Sequence, residues 1–179
     1  MNNQIYTNKP AAAEERPAKE MRVYDLLYDL GIAYQRMDHE AAATIEDCHD
    51  VDKLLGIELC KNLFLCNAQK TDFYLLLLPG TKKFKTKDLS KQINSSRLSF
   101  ADGTYMEEFM DITPGALSIM GLMNDQERRV RLLVDKDVYE AEYLGCHPCV
   151  NTASLKIKTS DVFGKFLEHT GHRAVVVEL

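Results

Sequence analysis

Apolar residues near the start of the chain recur with helical spacing. Val23, Leu26, Leu27 and Leu30 follow one another at intervals of three, one and three positions, which places them on one face of a helix. Gly31 comes directly after the last of them, and glycine is favoured just past a helix end. The pattern therefore predicts an amphipathic helix that ends near Gly31 and packs its apolar face on a core.

Two further segments have the two-residue period of strands. If residues 60–66 are extended, one face carries Cys60, Asn62, Phe64 and Cys66, and the other carries Lys61, Leu63 and Leu65. The run Phe73–Leu78 is apolar at every position, which predicts a central strand buried on both faces. The polar link NAQKTD between the two segments predicts an antiparallel hairpin.

The remaining elements are assigned by the same reasoning. Strands are predicted at 32–39, 129–138 and 154–158, with a final central strand at 173–179; helices are predicted at 44–56, 86–94, 104–111 and 160–171. Strands and helices do not alternate regularly, so the predicted fold class is α+β, with a mixed, largely antiparallel sheet or partial barrel surrounded by helices. Residues 1–20 are predicted to be a flexible or loosely docked extension, and residues 21–179 a single domain.

Composition limits the partners that such a domain could bind. The formal net charge is −5, which argues against general binding of duplex DNA. Residues 81–91 nevertheless contain five lysines and one aspartate, enough for a local phosphate contact. The same segment is equally well explained as the solvated start of a helix.

The five cysteines raise the question of redox or metal chemistry. Cys146 and Cys149 form a Cys-x-x-Cys pair around His147, a spacing found in redox dithiols and in zinc sites. The pair lies late in the chain, a loop and strand follow it, and no second paired motif completes a zinc site. We therefore expect no metal or other cofactor, and free thiols that pack in a protein of the reducing cytoplasm.

Three other features are candidates for chemistry. His147 lies in a loop stiffened by Pro148, where it is either a structural residue or one that orients a polar substrate. Lys61 shares a predicted strand face with leucines; it either extends its ammonium to solvent or lines a pocket for a phosphate or carboxylate. The turn Thr113–Ser118 contains Pro-Gly, which is common in turns but can also direct backbone N–H groups at an anion.

Four segments in order carry a resemblance to a known family. Together they resemble the YbaK/ProX family of freestanding aminoacyl-tRNA editing domains; the segments are DHEAAAT, CKNLFLC, DITPGALSIMGLMND and HPCVNTAS. The similarity extends from about Met21 to Leu179. It is greatest to the members that hydrolyse alanine mischarged onto proline tRNA.

The resemblance implies a set of site residues. The family's signature lysine falls on Lys61, its loop histidine on His147, and its Gly-x-x-Pro-Gly loop on Asp111–Gly115, where Asp111 replaces the first glycine. Lys61, Gly115 and His147 are therefore the expected catalytic residues, and the backbone at Pro114–Ala116 is expected to donate to the ester carbonyl or amine. The expected substrate-binding residues are Asn62, Thr113, Pro114, Ala116, His39 and Thr44.

The implied function is trans-editing of mischarged tRNA, most of all Ala-tRNA(Pro), by water attack on the aminoacyl ester. The expected partners are the tRNA acceptor end and, as a further candidate, prolyl-tRNA synthetase, with no membrane and with monomer and homodimer both open. The alternative is a catalytically weak regulator on the same fold that binds tRNA or a small ligand.

Overall fold

The computed structural model describes residues 4–11, 15–41, 49–58 and 60–179. The helix predicted at 44–56 is therefore described only from His49 onward, and Thr44 lies outside the described residues.

Nine strands and seven α-helical segments make up the described chain. The strands are β1 Ile5–Tyr6, β2 Tyr34–Asp38, β3 Cys60–Asn67, β4 Phe73–Pro79, β5 Leu98–Phe100, β6 Val130–Asp135, β7 Tyr143–Cys146, β8 Ala153–Lys158 and β9 Ala174–Val177. The helices are α1 Ala18–Asp29, α2 His49–Leu55, α3 Thr86–Gln92, α4 Gly103–Met110, α5 Lys136–Glu140, α6 Thr159–Asp161 and α7 Leu167–Thr170, with a 3-10 helix at Ile119–Met123 and a π-helical turn at Val162–Phe166.

The strands form two sheets. One has the order β1-β2-β8-β7 and is antiparallel throughout; the other has the order β5-β3-β4-β6-β9 and is mixed, because β6 is parallel to β4 and to β9. The predicted α+β class is confirmed. The pairings of the described strands leave both sheets open, so they do not form a closed barrel.

The five-stranded sheet confirms the predicted hairpin and the predicted central strand. β3 and β4 pair antiparallel with Lys61 opposite Leu78, and β4 lies in the middle of the sheet. The prediction that the last strand is central was wrong, because β9 is an edge strand with Val175 and Val176 exposed. Apolar β-branched residues favour a strand, but they do not determine its place in the sheet.

Both faces of β3 are covered, as its alternation predicted. Phe64 and Cys66 belong to the main core, which also contains residues from α1, α4 and the four-stranded sheet. Leu65 belongs to a smaller core on the opposite face, beneath Leu89 of α3, and Leu63 packs against that core. The two faces of β3 therefore point into separate environments.

The N-terminal segment includes a strand that the sequence pattern did not predict. Ile5 and Tyr6 pair with Met37 and Arg36 of β2, and the Arg36 guanidinium lies 4.6 Å from the centroid of the Tyr6 ring. The division of the chain at residue 20 stays a prediction.

Candidate functional site

His147 follows β7 at the start of the turn that leads to β8. Its Nδ1 lies 2.8 Å from the carbonyl oxygen of Ala153. A carbonyl only accepts, so this contact assigns the proton to Nδ1 and leaves Nε2 as an acceptor. Burial lowers the pKa of His147, and the neighbouring His39 also lowers it, so the ring is neutral at pH 7.

His39 is joined to His147 through one hydroxyl. Its Nδ1 lies 2.7 Å from the carbonyl oxygen of Glu40, so Nδ1 donates there and Nε2 accepts. That Nε2 lies 3.0 Å from Ser154 Oγ, which in turn lies 3.5 Å from His147 Nδ1. The ring centroids of the two histidines are 6.0 Å apart. His39, His147 and Ser154 form what we call the histidine cluster, in which each Nδ1 contacts a backbone carbonyl and Ser154 Oγ lies between the two rings.

The loop after α4 begins with a left-handed residue. Asp111 caps α4 with φ 54° and ψ 36°, a conformation that glycine adopts most readily and that Asp and Asn also tolerate. Its carboxylate pairs with Arg22 at 2.6 Å, and its carbonyl accepts from Lys19 at 3.3 Å. The aspartate at the family's glycine position is thus compatible with the turn, and α1 holds it in place.

Gly115 is the second left-handed position of this loop. Its φ is +94°, and a methyl group built on it would lie 3.7 Å from Asn151 Nδ2, so the loop lies against the turn that carries His147. The expectation that the backbone of Pro114–Ala116 donates to the ester needs correction. Proline has no N–H, and Ala116 N donates to Thr113 O at 3.1 Å. Gly115 N–H is the remaining donor of the three.

The other residues of this loop differ in exposure. Thr113 and Pro114 are exposed, whereas Ala116 is buried. Pro114 packs close to Gly103 at the start of α4, where an added methyl group would lie 2.9 Å from Pro114 Cγ. The loop therefore packs against α4 at Pro114 and against the turn that carries His147 at Gly115.

Asn62 and Lys61 lie on opposite faces of β3. Asn62 shares its face with Cys60, whose thiol has a backbone hydrogen bond with Gly145 of β7. That face therefore meets β7 two residues before His147. The amide of Asn62 donates to Cys60 O at 3.1 Å, which leaves its carbonyl oxygen as an acceptor.

Lys61 contacts the loop that follows β4. Its Nζ donates to Lys82 O at 3.2 Å, while Lys82 Nζ is held by Asp135 at 2.9 Å and by Asp137 at 2.9 Å. These four residues are the lysine–aspartate network. Among the described residues, no hydrogen bond connects Lys61 with either histidine.

The cysteines around His147 are buried thiols. Burial raises the pKa of Cys149 to about 12, raises that of Cys60 to about 12, and raises that of Cys146 further. A thiol that stays protonated at neutral pH is a poor nucleophile and a poor metal ligand. Within the described ranges, no three or more His, Cys, Asp and Glu side chains are arranged to hold a metal ion. Nor does any helix there have the length and apolar character needed to cross a bilayer.

The predicted residues thus fall into two groups. The turn before β8 brings together His39, His147 and Gly115. Asn62 lies on the face of β3 directed toward that turn, whereas Lys61 is on the other face. No sequence pattern singled out Ser154, Asn151 or Asp135, and Lys82 stood out only as one of the five lysines of residues 81–91. Ser154 and Asn151 do lie inside the quoted segment HPCVNTAS, but nothing in their spacing identified their partners.

Comparison with known proteins assigns this arrangement to a family. A family model described as "Aminoacyl-tRNA editing domain" matches residues 39–164, more than two thirds of the chain. The chain belongs to the aminoacyl-tRNA editing domain family. The resemblance found in the sequence is therefore confirmed, while the roles of single residues stay predictions.

Two curated relatives cover most of the chain. The prolyl-tRNA editing protein ProX of Acetoanaerobium sticklandii is 29% identical over 153 residues, which cover 86% of this chain and 93% of the relative. The prolyl-tRNA synthetase associated domain-containing protein 1 of Bos taurus is 29% identical over 171 residues, with 93% and 96% covered.

Solved structures show the same fold. A candidate trans-editing enzyme for prolyl tRNA synthetase superposes with a TM-score of 0.68 at 14% identity and covers 92% of this chain and 99% of its own. The hypothetical protein APE2540 gives a TM-score of 0.64 at 15% identity and covers 87% and 96%. At these identities the likeness concerns the fold alone.

Proposed function

We propose that this chain is a trans-editing hydrolase that deacylates mischarged tRNA, with Ala-tRNA(Pro) as its main substrate. Family membership supports the reaction class, and the relative named as a prolyl-tRNA editing protein supports the proline tRNA. The observation that carries the proposal is the Nε2 of a neutral His147, which has no hydrogen bond with any described residue and lies beside the left-handed loop at Gly115.

The proposed reaction needs only water and the ester. Water adds to the aminoacyl carbonyl carbon, and the bond from that carbon to the terminal ribose oxygen breaks. The ribose oxygen gains a proton, and free alanine and tRNA are released. His147 Nε2 accepts a hydrogen bond from the attacking water or from a ribose hydroxyl, and Gly115 N–H donates to the developing oxyanion. Asn62 and His39 line the path to the ester.

Lys61 has a separate role in this proposal. Because its ammonium lies on the other face of β3, the geometry supports a contact with a tRNA phosphate rather than with the ester. Lys61 also contacts Lys82, at the start of the basic segment 81–91. Lys83, Lys85, Lys87 and Lys91 are exposed there, so the acceptor strand could follow them toward Lys61.

The preference for alanine has a physical reason. A proline-binding synthetase pocket cannot strongly reject a smaller amino acid, since missing methylenes are worth only about 1–3 kcal/mol. A second site that admits alanine and excludes proline restores accuracy. The regulator alternative was based on Asp111, and Asp111 adopts the backbone conformation of the glycine it replaces.

Deacylation of purified charged tRNAs tests the proposal directly. We expect release of alanine from Ala-tRNA(Pro) and near-background rates with Pro-tRNA(Pro). Loss of activity in His147→Ala, with an unchanged melting temperature, would tie the reaction to this site. Background rates with every charged tRNA, together with retained tRNA binding, would favour the regulator.

The cellular setting is part of the proposal. We expect the chain to work in the cytoplasm on tRNA charged by prolyl-tRNA synthetase. The four cysteines of the described residues are free, as a reducing compartment would keep them. Sedimentation with and without the synthetase measures whether that enzyme is a stable partner.

A further inference from the structure

Among the described residues, the ammonium of Lys61 contacts a backbone carbonyl and pairs with no acid. Its contact is the carbonyl oxygen of Lys82, at 3.2 Å. A carbonyl occupies one of the three N–H donors and carries no formal charge. The positive charge of Lys61 and its other two N–H donors therefore remain available for a phosphate, provided that the carbonyl stays in place.

The side chain of Lys82 anchors the loop that presents this carbonyl. Lys82 Nζ lies 2.9 and 3.0 Å from the two carboxylate oxygens of Asp135 and 2.9 Å from Asp137 Oδ2. These hydrogen bonds raise the pKa of Lys82, so it remains charged. Its backbone N–H also donates to Pro79 O at 3.0 Å, which closes the turn after β4.

Asp135 is the fixed point of the network. Its side chain is 0% exposed at the end of β6, and it also accepts from Asp137 N at 3.1 Å and from Leu179 N at 3.1 Å. Both oxygens of this carboxylate are thus used, one with the N–H at the start of α5 and the other with the N–H of Leu179. A buried charge with its partner in place is costly to disturb.

We infer that Lys82 and Asp135 are positioning residues, which hold the loop carbonyl that aims Lys61 at a tRNA phosphate. This inference rests on the proposed function, because it assigns Lys61 a phosphate of the substrate. The lysine at position 82 then acts inside the protein and not as one of the RNA-contacting lysines of segment 81–91. Its side-chain charge is neutralised by two aspartates, whereas Lys83 and Lys85 are exposed.

A double-mutant cycle tests this inference. Lys82→Met combined with Asp135→Asn removes the clamp without leaving a lone buried charge and keeps the carbonyl at position 82. We expect KM for Ala-tRNA(Pro) to rise about two- to tenfold with kcat nearly unchanged, the scale of one weakened hydrogen bond. In a Lys61→Ala background the same pair of substitutions should add little, because the group it positions is gone.

The control is Lys136→Ala, which removes an exposed lysine between the two aspartates and should leave KM unchanged. Effects that add independently of Lys61 would overturn the inference, because Lys82 would then act on RNA directly or through general stability. An unchanged KM in the clamp variant would overturn it as well.

A readout without tRNA separates this inference from the proposed function. The side-chain NMR signal of Lys61, assigned with Lys61→Ala, should move in the clamp variant and stay in place in Lys136→Ala. If it does not move, the positioning role is wrong even in an active enzyme. The NMR signal of Lys61 could also move while the wild-type protein deacylates no charged tRNA. In that case the proposed function is wrong, and only the effect of Lys82 on the position of Lys61 is supported.

Discussion

The histidine cluster and the lysine–aspartate network lie on opposite sides of the start of β3, and they hold their polar groups in contrasting ways. In the histidine cluster, His147 is neutral, and the ring nitrogens of His147 and His39 contact backbone carbonyls and one hydroxyl. In the lysine–aspartate network, Lys82 is charged and is held by two carboxylates. In the proposed function, the neutral His147 acts at the ester, whereas the phosphate is bound by Lys61 and not by Lys82, whose charge the two aspartates neutralise. Substitutions on the two sides should therefore differ in pH and salt dependence.

The largest effect is expected on the charged side. Lys61→Ala removes a charge-assisted hydrogen bond to phosphate, so kcat/KM should fall about ten- to hundredfold, mostly through KM. The slope of log KM against log salt should decrease by about 0.7, the share of one phosphate contact on a single strand. Kinetics at several salt concentrations measure both quantities.

Lys61→Arg should restore only part of the activity, since a planar guanidinium does not replace a compact ammonium against one carbonyl. A wild-type KM in Lys61→Ala would return this residue to the solvent-directed lysine considered in the sequence analysis. A lowered melting temperature alone would do the same.

A smaller effect, with a different signature, is expected on the neutral side. His147→Ala should lower kcat about tenfold, the scale of one hydrogen bond near 1.4 kcal/mol, with little change in the salt slope. Burial lowers the pKa of His147 below its usual 6.5, so the active neutral form should persist to pH values below 6.5.

The sign of the pH effect follows from the same shift. Wild-type kcat should stay flat from pH 8 to below 6.5 and fall only at lower pH, where His147 gains its proton. Folding stability should also decrease below pH 6.5, because the unfolded chain binds that proton more readily. A pH profile with an acid limb well above 6.5 would contradict the lowered pKa of His147.

The loop beside the histidine cluster should be sensitive in stability as well as in activity. Gly115→Ala imposes a side chain at φ +94°, which should cost about 1–2 kcal/mol of unfolding free energy and misplace the backbone N–H. Gly164→Ala is the matched control, since an added methyl group there meets nothing within 4 Å. Urea unfolding of the two variants compares them directly; equal stability would mean that the loop tolerates the change.

The smallest effect on activity is expected from the thiols. Cys146→Ala with Cys149→Ala should deacylate at close to the wild-type rate, with or without reductant and chelator, because burial keeps both thiols protonated. Activity lost on mild oxidation and regained on reduction would show instead that the Cys-x-x-Cys pair takes part. So would stoichiometric zinc in metal analysis of the purified protein.

Local patterns in the sequence by themselves determined the faces of β3, the β3–β4 hairpin and the end of α1 at Gly31. Each depends on neighbouring residues, since strand alternation and helix spacing are properties of short segments. The motif order also identified the family, because four segments had to match together.

The tertiary structure alone decided which of those residues meet. Three features depend on segments that are far apart in sequence. They are the edge position of β9, the link between His39 and His147 through Ser154, and the contact of Lys61 with Lys82. Pairing across such distances depends on how the two sheets pack and on where buried carboxylates such as Asp135 find partners. Neither condition leaves a periodic trace along the chain. Strand alternation predicted that Lys61 and Asn62 face opposite ways, but not that Lys61 meets the carbonyl of Lys82.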